Sequence, residues 1–377
     1  MNNLMVQTRR LAESCRRSDF QAFVYWLTAR AIVFASWIAV GVFVPGFGIR
    51  DGFFKWDGAW YYSVLIDGYA SNPPVGQSNI AFFPGFPLFM RVVDCLPGLS
   101  AFRAGVISTL VLGLLATIAF SRLALHVLDE VSASFATAMF ALTPGSVVLT
   151  MFYSEGLFLL TAILSALFCL QKKWLAAGLM AGLAGFTRPS GVVIVIVVVV
   201  CAGLEIRESR RWAPAPAILI APLGLVAYAV FLHVHVGSVK SYFDAQRLGW
   251  GERFSLHERL RDLELLREWV FGGFGASDWN RTIPGIFLLM AIVLLVVMFT
   301  RRMPPALLAL TIGMLVVVFV SATLGIRPRF FMTAFPLFLA VPIVIKNLHF
   351  RFMALVTSGF ALGLYSMVTA GTLLQTP

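Results

Sequence analysis

The sequence predicts an all-α polytopic membrane protein. Hydrophobic residues make up 59% of its 377 residues and charged residues only 12%, and the mean hydropathy is +0.86. Soluble domains have a far more polar composition. Since one membrane-spanning helix needs roughly 20 apolar residues, the chain has room for many spans, and we expect residues 1–377 to form a single membrane-embedded domain.

Apolar runs between polar breaks predict about eleven transmembrane helices. They fall at 23–44, 104–121, 134–153, 155–171, 174–187, 190–204, 214–235, 283–300, 305–324, 331–345 and 350–373. Several of these runs are shorter than the ~20 residues of a straight crossing. Broken or tilted helices are therefore expected.

Basic residues in alternate short connections predict the orientation, because Lys and Arg favour the cytoplasmic side. The predicted cytoplasmic residues are Arg9, Arg10, Arg16, Arg17, Arg122, Lys172, Lys173, Arg207, Arg210, Arg211, Arg301, Arg302, Lys346 and Arg351. The same alternation makes the two longest loops, at about 46–103 and 236–282, extracytoplasmic. The basic N-terminus precedes a long apolar run without a small-residue cleavage site, which predicts a retained first span and an integral, multi-pass protein.

Several functional classes find no support in the residues. The net charge of +11 is spread over loops, so no basic face for nucleic acid is expected. The four cysteines show no CxxC spacing, and P-loop, GxSxG and HExxH motifs are absent. We expect no metal site and no cofactor. Gly178 and Gly182, four residues apart, predict close helix packing.

Charged residues at the predicted outer ends of helices are the main functional candidates, since charge in a membrane is costly and commonly kept for function. They are Asp57, Glu155, Arg188, Arg327 and Arg329. Arginine offers a fixed fork of donors for phosphate oxygens, and a carboxylate can take a proton from a nucleophile. The set suits chemistry on an anionic lipid at one membrane interface.

Each candidate also has a structural interpretation. Asp57 precedes a helical pattern and could be a helix N-cap. Glu155 could cap the next helix or pair with Arg188. Arg327 and Arg329 could be snorkelling residues at the interface.

Six segments of the chain resemble the PIG-V family of mannosyltransferases and its bacterial relatives. They are WDGAWYYSVLIDGY (56–69), AFFPGFPL (81–88), TPGSVVLTMFYSEGLF (143–158), WLAAGLMAGLAGFTRPSG (174–191), FDAQRLGWG (243–251) and RPRFFMTAFPLF (327–338). The first two form the most specific pair, and together the segments extend over most of the chain.

The resemblance implies a GT-C glycosyltransferase fold, with amphipathic helices in the first extracytoplasmic loop that rest at the membrane surface. It also implies a donor sugar on a polyprenyl phosphate, an active site facing outside and Asp57 as the catalytic acid/base. A single displacement at the anomeric carbon would then invert the configuration, so a β-linked mannosyl donor would give an α-mannoside.

The remaining expected roles follow from that scheme. Arg188, Arg327 and Arg329 would bind the donor phosphate, without a divalent cation. Trp56, Trp60, Tyr61 and Glu155 would line the sugar site, and Gln246 and Trp250 would approach the acceptor.

The compact chain and its preference for Arg over Lys suggest a bacterial plasma-membrane protein; in a eukaryote, the endoplasmic reticulum membrane would be expected. The acceptor stays open among a glycolipid, a cell-wall glycan and a protein hydroxyl, and the sugar need not be mannose.

Two other classes remain as alternatives. A transporter or lipid flippase would place polar residues near the bilayer midplane and show an internal repeat, whereas runs such as VVIVIVVVVCAGL carry no charge. A non-catalytic partner with the same fold is the second alternative, and loss of Asp57 would have favoured it.

Overall fold

The computed structural model describes residues 2–272, 279–323 and 325–371 as a chain of α-helices. Within these residues there is no β-strand, only an isolated bridge between Phe254 and Ser321. The helices are α1 Asn2–Phe43, α2 Ile49–Phe54, α3 Asp57–Asp67, α4 Gly85–Asp94, α5 Ala101–Val127, α6 Glu130–Leu142, α7 Glu155–Leu170, α8 Trp174–Thr187, α9 Gly191–Ser209, α10 Ala215–Ile220, α11 Leu223–Val236, α12 Lys240–Trp250, α13 His257–Phe271, α14 Trp279–Thr300, α15 Pro305–Phe319, α16 Pro328–Thr333, α17 Val341–Val344 and α18 Leu348–Ala370.

Five helical segments of the described residues are long and apolar enough to cross a membrane. They are Cys15–Phe43, Ala101–Val127, Ala215–Val236, Thr282–Thr300 and Leu348–Ala370. Shorter apolar helices cover Glu130–Leu142, Glu155–Leu170, Trp174–Thr187, Pro305–Phe319 and Phe335–Val344. The protein is a multi-pass membrane protein, and many of its predicted spans fall on short or interrupted helices.

Prolines account for the interruptions. The predicted helix 134–153 ends at Leu142, and a 3-10 helix, Pro144–Leu149, follows it. The residue before a proline is driven out of the α region, and Thr143 accordingly has ψ of 144°. The predicted helix 331–345 is likewise divided into α16, a 3-10 helix Phe335–Leu339 and α17. These breaks bring irregular backbone into the interior of the bundle.

The first large loop, residues 44–100, is folded rather than extended. It contains the short helices α2, α3 and α4 and the 3-10 helix Asn79–Ala81, as expected from the sequence. Phenylalanines hold it on the bundle: the rings of Phe53 and Phe152 lie 5.2 Å apart, and those of Phe54 and Phe152 5.1 Å apart. The loop is thus fixed against the chain segment just before α7.

Close packing at Gly178 and Gly182 is confirmed. A Cβ atom on Gly178 would lie 2.7 Å from Cα of Ala217, and one on Gly182 would lie 3.1 Å from the Ile220 carbonyl oxygen. Helix α8 therefore contacts the backbone of α10 directly, as small residues permit between membrane helices.

Candidate active site

Asp57 is the first residue of α3, and its side chain does not cap that helix. The N-cap residue is Trp56, which makes no side-chain capping bond. The Asp57 carboxylate instead accepts a hydrogen bond at Oδ2 from Nη1 of Arg329, at 2.6 Å. The capping interpretation is therefore wrong, because this carboxylate faces a distant part of the chain.

The backbone just before Asp57 has an unusual conformation. Trp56 has φ of 56° and ψ of −122°, a region that non-glycine residues seldom occupy. A Cβ atom on the next glycine, Gly58, would lie 2.3 Å from the carbonyl oxygen of Phe53. Such local strain is typical of functional sites, and here it turns the chain so that Asp57 faces α16.

Arg329 lies on α16 and is held on several sides. Its side chain is only 6% exposed, against 23% for Asp57. Its guanidinium lies 4.5 Å from the ring centre of Phe330 and 5.6 Å from that of Tyr153. A guanidinium buried in this way needs a partner for its charge, and Asp57 provides it.

Tyr153 connects this ion pair to the segment that precedes α7. Its hydroxyl oxygen accepts the backbone N–H of Asp57 at 3.2 Å, while its ring contacts Arg329. Tyr153 therefore orients both partners of the ion pair.

A second ion pair lies beside the first. Nη1 of Arg188 is 2.5 Å from Oε1 of Glu155, and the Glu155 side chain has no exposed area. Arg188 also donates to the Ser154 hydroxyl at 3.2 Å. Of the two structural interpretations of Glu155, pairing with Arg188 is the one observed.

Tyr61 lies one turn after Asp57 on α3 and reaches Ser154, the hydrogen-bond partner of Arg188, through a neutral hydrogen bond. Its hydroxyl lies 2.6 Å from the Ser154 hydroxyl. Burial raises the pKa of the Tyr61 hydroxyl, so the group stays protonated. Two carboxylates and two guanidiniums are thus connected through Tyr153, Ser154 and Tyr61.

Aromatic side chains form a wall next to this charged cluster. The rings of Trp60 and Phe82 are stacked, 6.0 Å apart with an interplanar angle of 12°. Trp250, at the end of α12, meets both of them edge-on, at 5.8 Å and 5.6 Å. Gln246 on the same helix donates to the carbonyl oxygen of Ala81 at 3.4 Å. Helix α12 therefore rests on the first large loop.

Two predicted site residues lie at the margin of the cluster. Arg327 is the N-cap residue of α16 and is half-buried, with Tyr365 of α18 nearby. Trp56 is half-buried at the strained turn, and its indole N–H has no hydrogen-bond partner among the described residues. Within the part of the chain that the structure describes, no three His, Cys, Asp or Glu residues are grouped as in a metal site.

Tyr153 and Ser154 were not among the residues expected from the sequence. They directly precede Glu155 in the FYSEGLF segment, and hydroxyl groups next to a charged residue at a helix start were the available signal. Their role depends on the distance to Asp57, Tyr61 and Arg188, which the local sequence does not contain.

Comparisons with known proteins show which sequences and folds this chain is similar to. Residues 48–206 match the family described as Mannosyltransferase (PIG-V). GPI alpha-1,6-mannosyltransferase 2 of Rattus norvegicus is 29% identical over 207 residues, which cover 52% of this chain and 39% of the rat protein. The chain thus spans about two fifths of the length of that relative.

Two solved membrane proteins share the fold. ArnT from Cupriavidus metallidurans, bound to undecaprenyl phosphate, aligns with a TM-score of 0.50 and 15% identity over 93% of this chain and 76% of its own. The archaeal oligosaccharyltransferase AglB from Archaeoglobus fulgidus, in complex with an inhibitory peptide and a dolichol-phosphate, also has a TM-score of 0.50, with 11% identity over 93% of this chain and 55% of its own.

Proposed function

We propose that the chain transfers a sugar, mannose in the first instance, from a polyprenyl phosphate. The proposal is supported by the match of residues 48–206 to the Mannosyltransferase (PIG-V) family and by the fold shared with ArnT. The acceptor would be a lipid-linked or cell-envelope glycan at the extracytoplasmic face of a bacterial plasma membrane. The observation that carries this proposal is Asp57, which lies inside the family-matched region. Its carboxylate accepts a hydrogen bond from Arg329 at 2.6 Å, and its backbone N–H donates to the Tyr153 hydroxyl.

Asp57 is the proposed general base. Arg329 occupies Oδ2, and with 23% of the side chain exposed, Oδ1 is the oxygen proposed to meet an acceptor hydroxyl. Asp57 takes the hydroxyl proton while the acceptor oxygen bonds to the anomeric carbon. The bond from that carbon to the phosphate oxygen breaks, and its electron pair leaves with the lipid phosphate. Attack from the face opposite the phosphate inverts the anomeric configuration.

Arginine side chains are proposed to stabilise the charge of the leaving phosphate. Arg188, Arg327 and Arg329 are the candidates, since guanidiniums are suited to phosphate oxygens and keep their charge. Arg188 and Arg329 already have carboxylate partners, which hold them in place before a donor arrives. Fixed charges of this kind stabilise a developing anion without reorganisation at the moment of reaction. The two solved proteins with this fold bind lipid phosphates, according to their descriptions.

The sugar is proposed to lie between the charged cluster and the aromatic wall. Trp56, Trp60, Tyr61 and Glu155 would line that position, since ring faces of tryptophan suit the apolar faces of sugars. Gln246 and Trp250 on α12 would then meet the acceptor, because this helix rests on the first large loop next to Trp60.

The direct test is a transfer reaction. Purified protein in detergent or vesicles is incubated with polyprenyl-phosphate-mannose and a membrane lipid extract, and mass spectrometry identifies any product that has gained one hexose. We expect a hexose-bearing product that requires the active protein. If neither polyprenyl-phosphate-mannose nor its glucose and pentose counterparts yields a product, the proposed activity is wrong.

A further inference from the structure

An arginine in the middle of a membrane-spanning helix makes no ion pair with a described carboxylate. Arg30 lies in α1, in the span Cys15–Phe43, and is only 3% exposed. Its Nη1 donates to the Ser146 carbonyl oxygen at 2.8 Å and to the Thr150 hydroxyl at 2.6 Å, and its Nη2 donates to the Ser146 hydroxyl at 3.1 Å. A buried charge inside a membrane is costly and is commonly functional.

All three acceptors of Arg30 lie in or next to one element, the 3-10 helix Pro144–Leu149. A 3-10 helix has poorer internal hydrogen bonds than an α-helix, and this one follows a proline break. Arg30 therefore donates hydrogen bonds to a segment whose internal hydrogen bonds are weak.

The same 3-10 helix contacts one side of the Asp57 site through α16. A Cβ atom on Gly145 would lie 2.1 Å from the carbonyl oxygen of Pro328, so the two backbones are in direct contact. The next residue after Pro328 is Arg329, which pairs with Asp57.

The other side of the site is reached through the residues that follow the 3-10 helix. The backbone N–H of Phe152 donates to the carbonyl oxygen of Phe53 at 3.1 Å, and the Tyr153 hydroxyl accepts the N–H of Asp57. A movement of the 3-10 helix would displace both the ion-pair partner of Asp57 and the tyrosine that orients its backbone.

We propose that Arg30 is a positioning residue for the Asp57 site. It holds the 3-10 helix Pro144–Leu149 in the one place from which Arg329 and Tyr153 reach Asp57 together. This inference rests on the proposed function for its kinetic consequences, but not for its structural ones.

The kinetic test compares Arg30→Met and Arg30→Lys with wild type and with Ser36→Ala. Ser36 is a suitable control because it is a buried polar residue of α1 whose hydroxyl, among the described residues, donates to the Ile32 carbonyl oxygen of its own helix. We expect kcat to fall by roughly 10²-fold in Arg30→Met, as for a small misplacement of catalytic groups, with the donor KM within about threefold of wild type. Lysine keeps the charge but has no planar fork, so Arg30→Lys should recover part of kcat.

A double variant separates positioning from general stability. If Arg30 acts through Asp57, Arg30→Lys should cost little further activity once Asp57→Asn is present, because residues that act as a unit are not additive. A full additional loss, or an unchanged kcat in folded Arg30→Met, overturns the proposal. If Arg30→Met does not fold, Arg30→Lys alone decides the kinetic test.

Hydrogen–deuterium exchange tests the structural part without any activity. Exchange in peptides covering 144–154 and 328–333 should rise in both Arg30 variants and stay at the wild-type level in Ser36→Ala. Unchanged exchange in the Arg30 variants overturns the positioning role. A wild-type protein without transfer activity would instead overturn only the proposed function, so the two failures are distinguishable.

Discussion

At the scale of single residues, Asp57 shows how tertiary contacts change the role that a sequence position suggests. An aspartate at the start of a helix is ordinarily a cap, yet the cap position belongs to Trp56 and the carboxylate pairs with Arg329. The ion pair holds this partly exposed carboxylate toward α16, which is the placement that the proposed general base needs.

Replacing Asp57 by asparagine tests the base directly. The amide cannot accept the hydroxyl proton, so transfer should fall by roughly 10² to 10⁴. Folding stability should also fall, by about 1–3 kcal/mol, because Arg329 loses its charged partner; rates are therefore expressed per folded protein.

Asp67→Asn, at the exposed far end of the same helix, is the matched control and should transfer like wild type. An Asp57→Asn protein that retains more than about a tenth of the wild-type rate would be incompatible with general-base catalysis at this residue, given its usual contribution. Glu155 would then be the next carboxylate to test.

At the scale of elements, a group of hydrogen bonds joins the residues just after α12 to the segment that leads into α16. The Glu252 carboxylate accepts hydrogen bonds from the Ser321 hydroxyl at 2.7 Å, from the Ala322 N–H at 3.2 Å and from the Thr323 hydroxyl. Backbone bonds from Ala322 to Arg253 and from Ser255 to Val320 accompany them. The helix proposed to meet the acceptor is thus tied to the arginines proposed to meet the donor.

Glu252→Ala should weaken donor use. Loss of hydrogen bonds to a charged group costs about 1.5–3 kcal/mol. If about half of the lower value is lost from donor binding at Arg327 and Arg329, the donor KM should rise by roughly threefold or more. Asp244→Ala, which removes an exposed pair with Arg247 on α12, should leave the donor KM unchanged. Steady-state kinetics with varied donor would contradict this role if both variants gave the wild-type donor KM.

At the scale of the whole molecule, the site is assembled from segments far apart in the chain. Asp57 and Arg329 are separated by 272 positions, and Arg30 lies 116 positions from Ser146. The interrupted helices around Pro144 and between Pro328 and Val344 bring these segments together inside the bundle. Irregular backbone at membrane depth is tolerated where protein buries it.

The orientation of the molecule is open to a labelling test. The alternation of basic residues predicts that the first large loop lies outside the cell. In intact cells, a single-cysteine variant that keeps the exposed Cys95 of this loop should react with a membrane-impermeant thiol reagent. Variants that keep only the exposed Cys15, or carry only Ser209→Cys at the end of α9, should react only after permeabilisation. The reverse pattern would put the proposed active face in the cytoplasm. Ser277, in the second large loop, is predicted to be labelled like the first large loop, and it lies outside the described residues.

The sequence by itself determined the class of the protein, and it predicts the family that the chain resembles and most of the residues of the candidate site. Composition and hydrophobic runs predict a multi-pass helical protein because the bilayer requires long apolar helices. Motifs such as WDGAWYYSVLIDGY and FYSEGLF single out Asp57 and Glu155 because charge near a membrane is costly. These predictions depend only on residues that are neighbours in the sequence.

Only the tertiary structure decided how those residues meet. Which arginine pairs with Asp57, the bridging by Tyr153 and Ser154, and the dependence of the 3-10 helix on Arg30 all follow from distances between segments remote in the chain. The physical reason is that a buried charge takes whichever partner packing brings within hydrogen-bond reach. Packing here depends on contacts between remote segments, such as Gly145 against Pro328, and no local pattern specifies which segments meet.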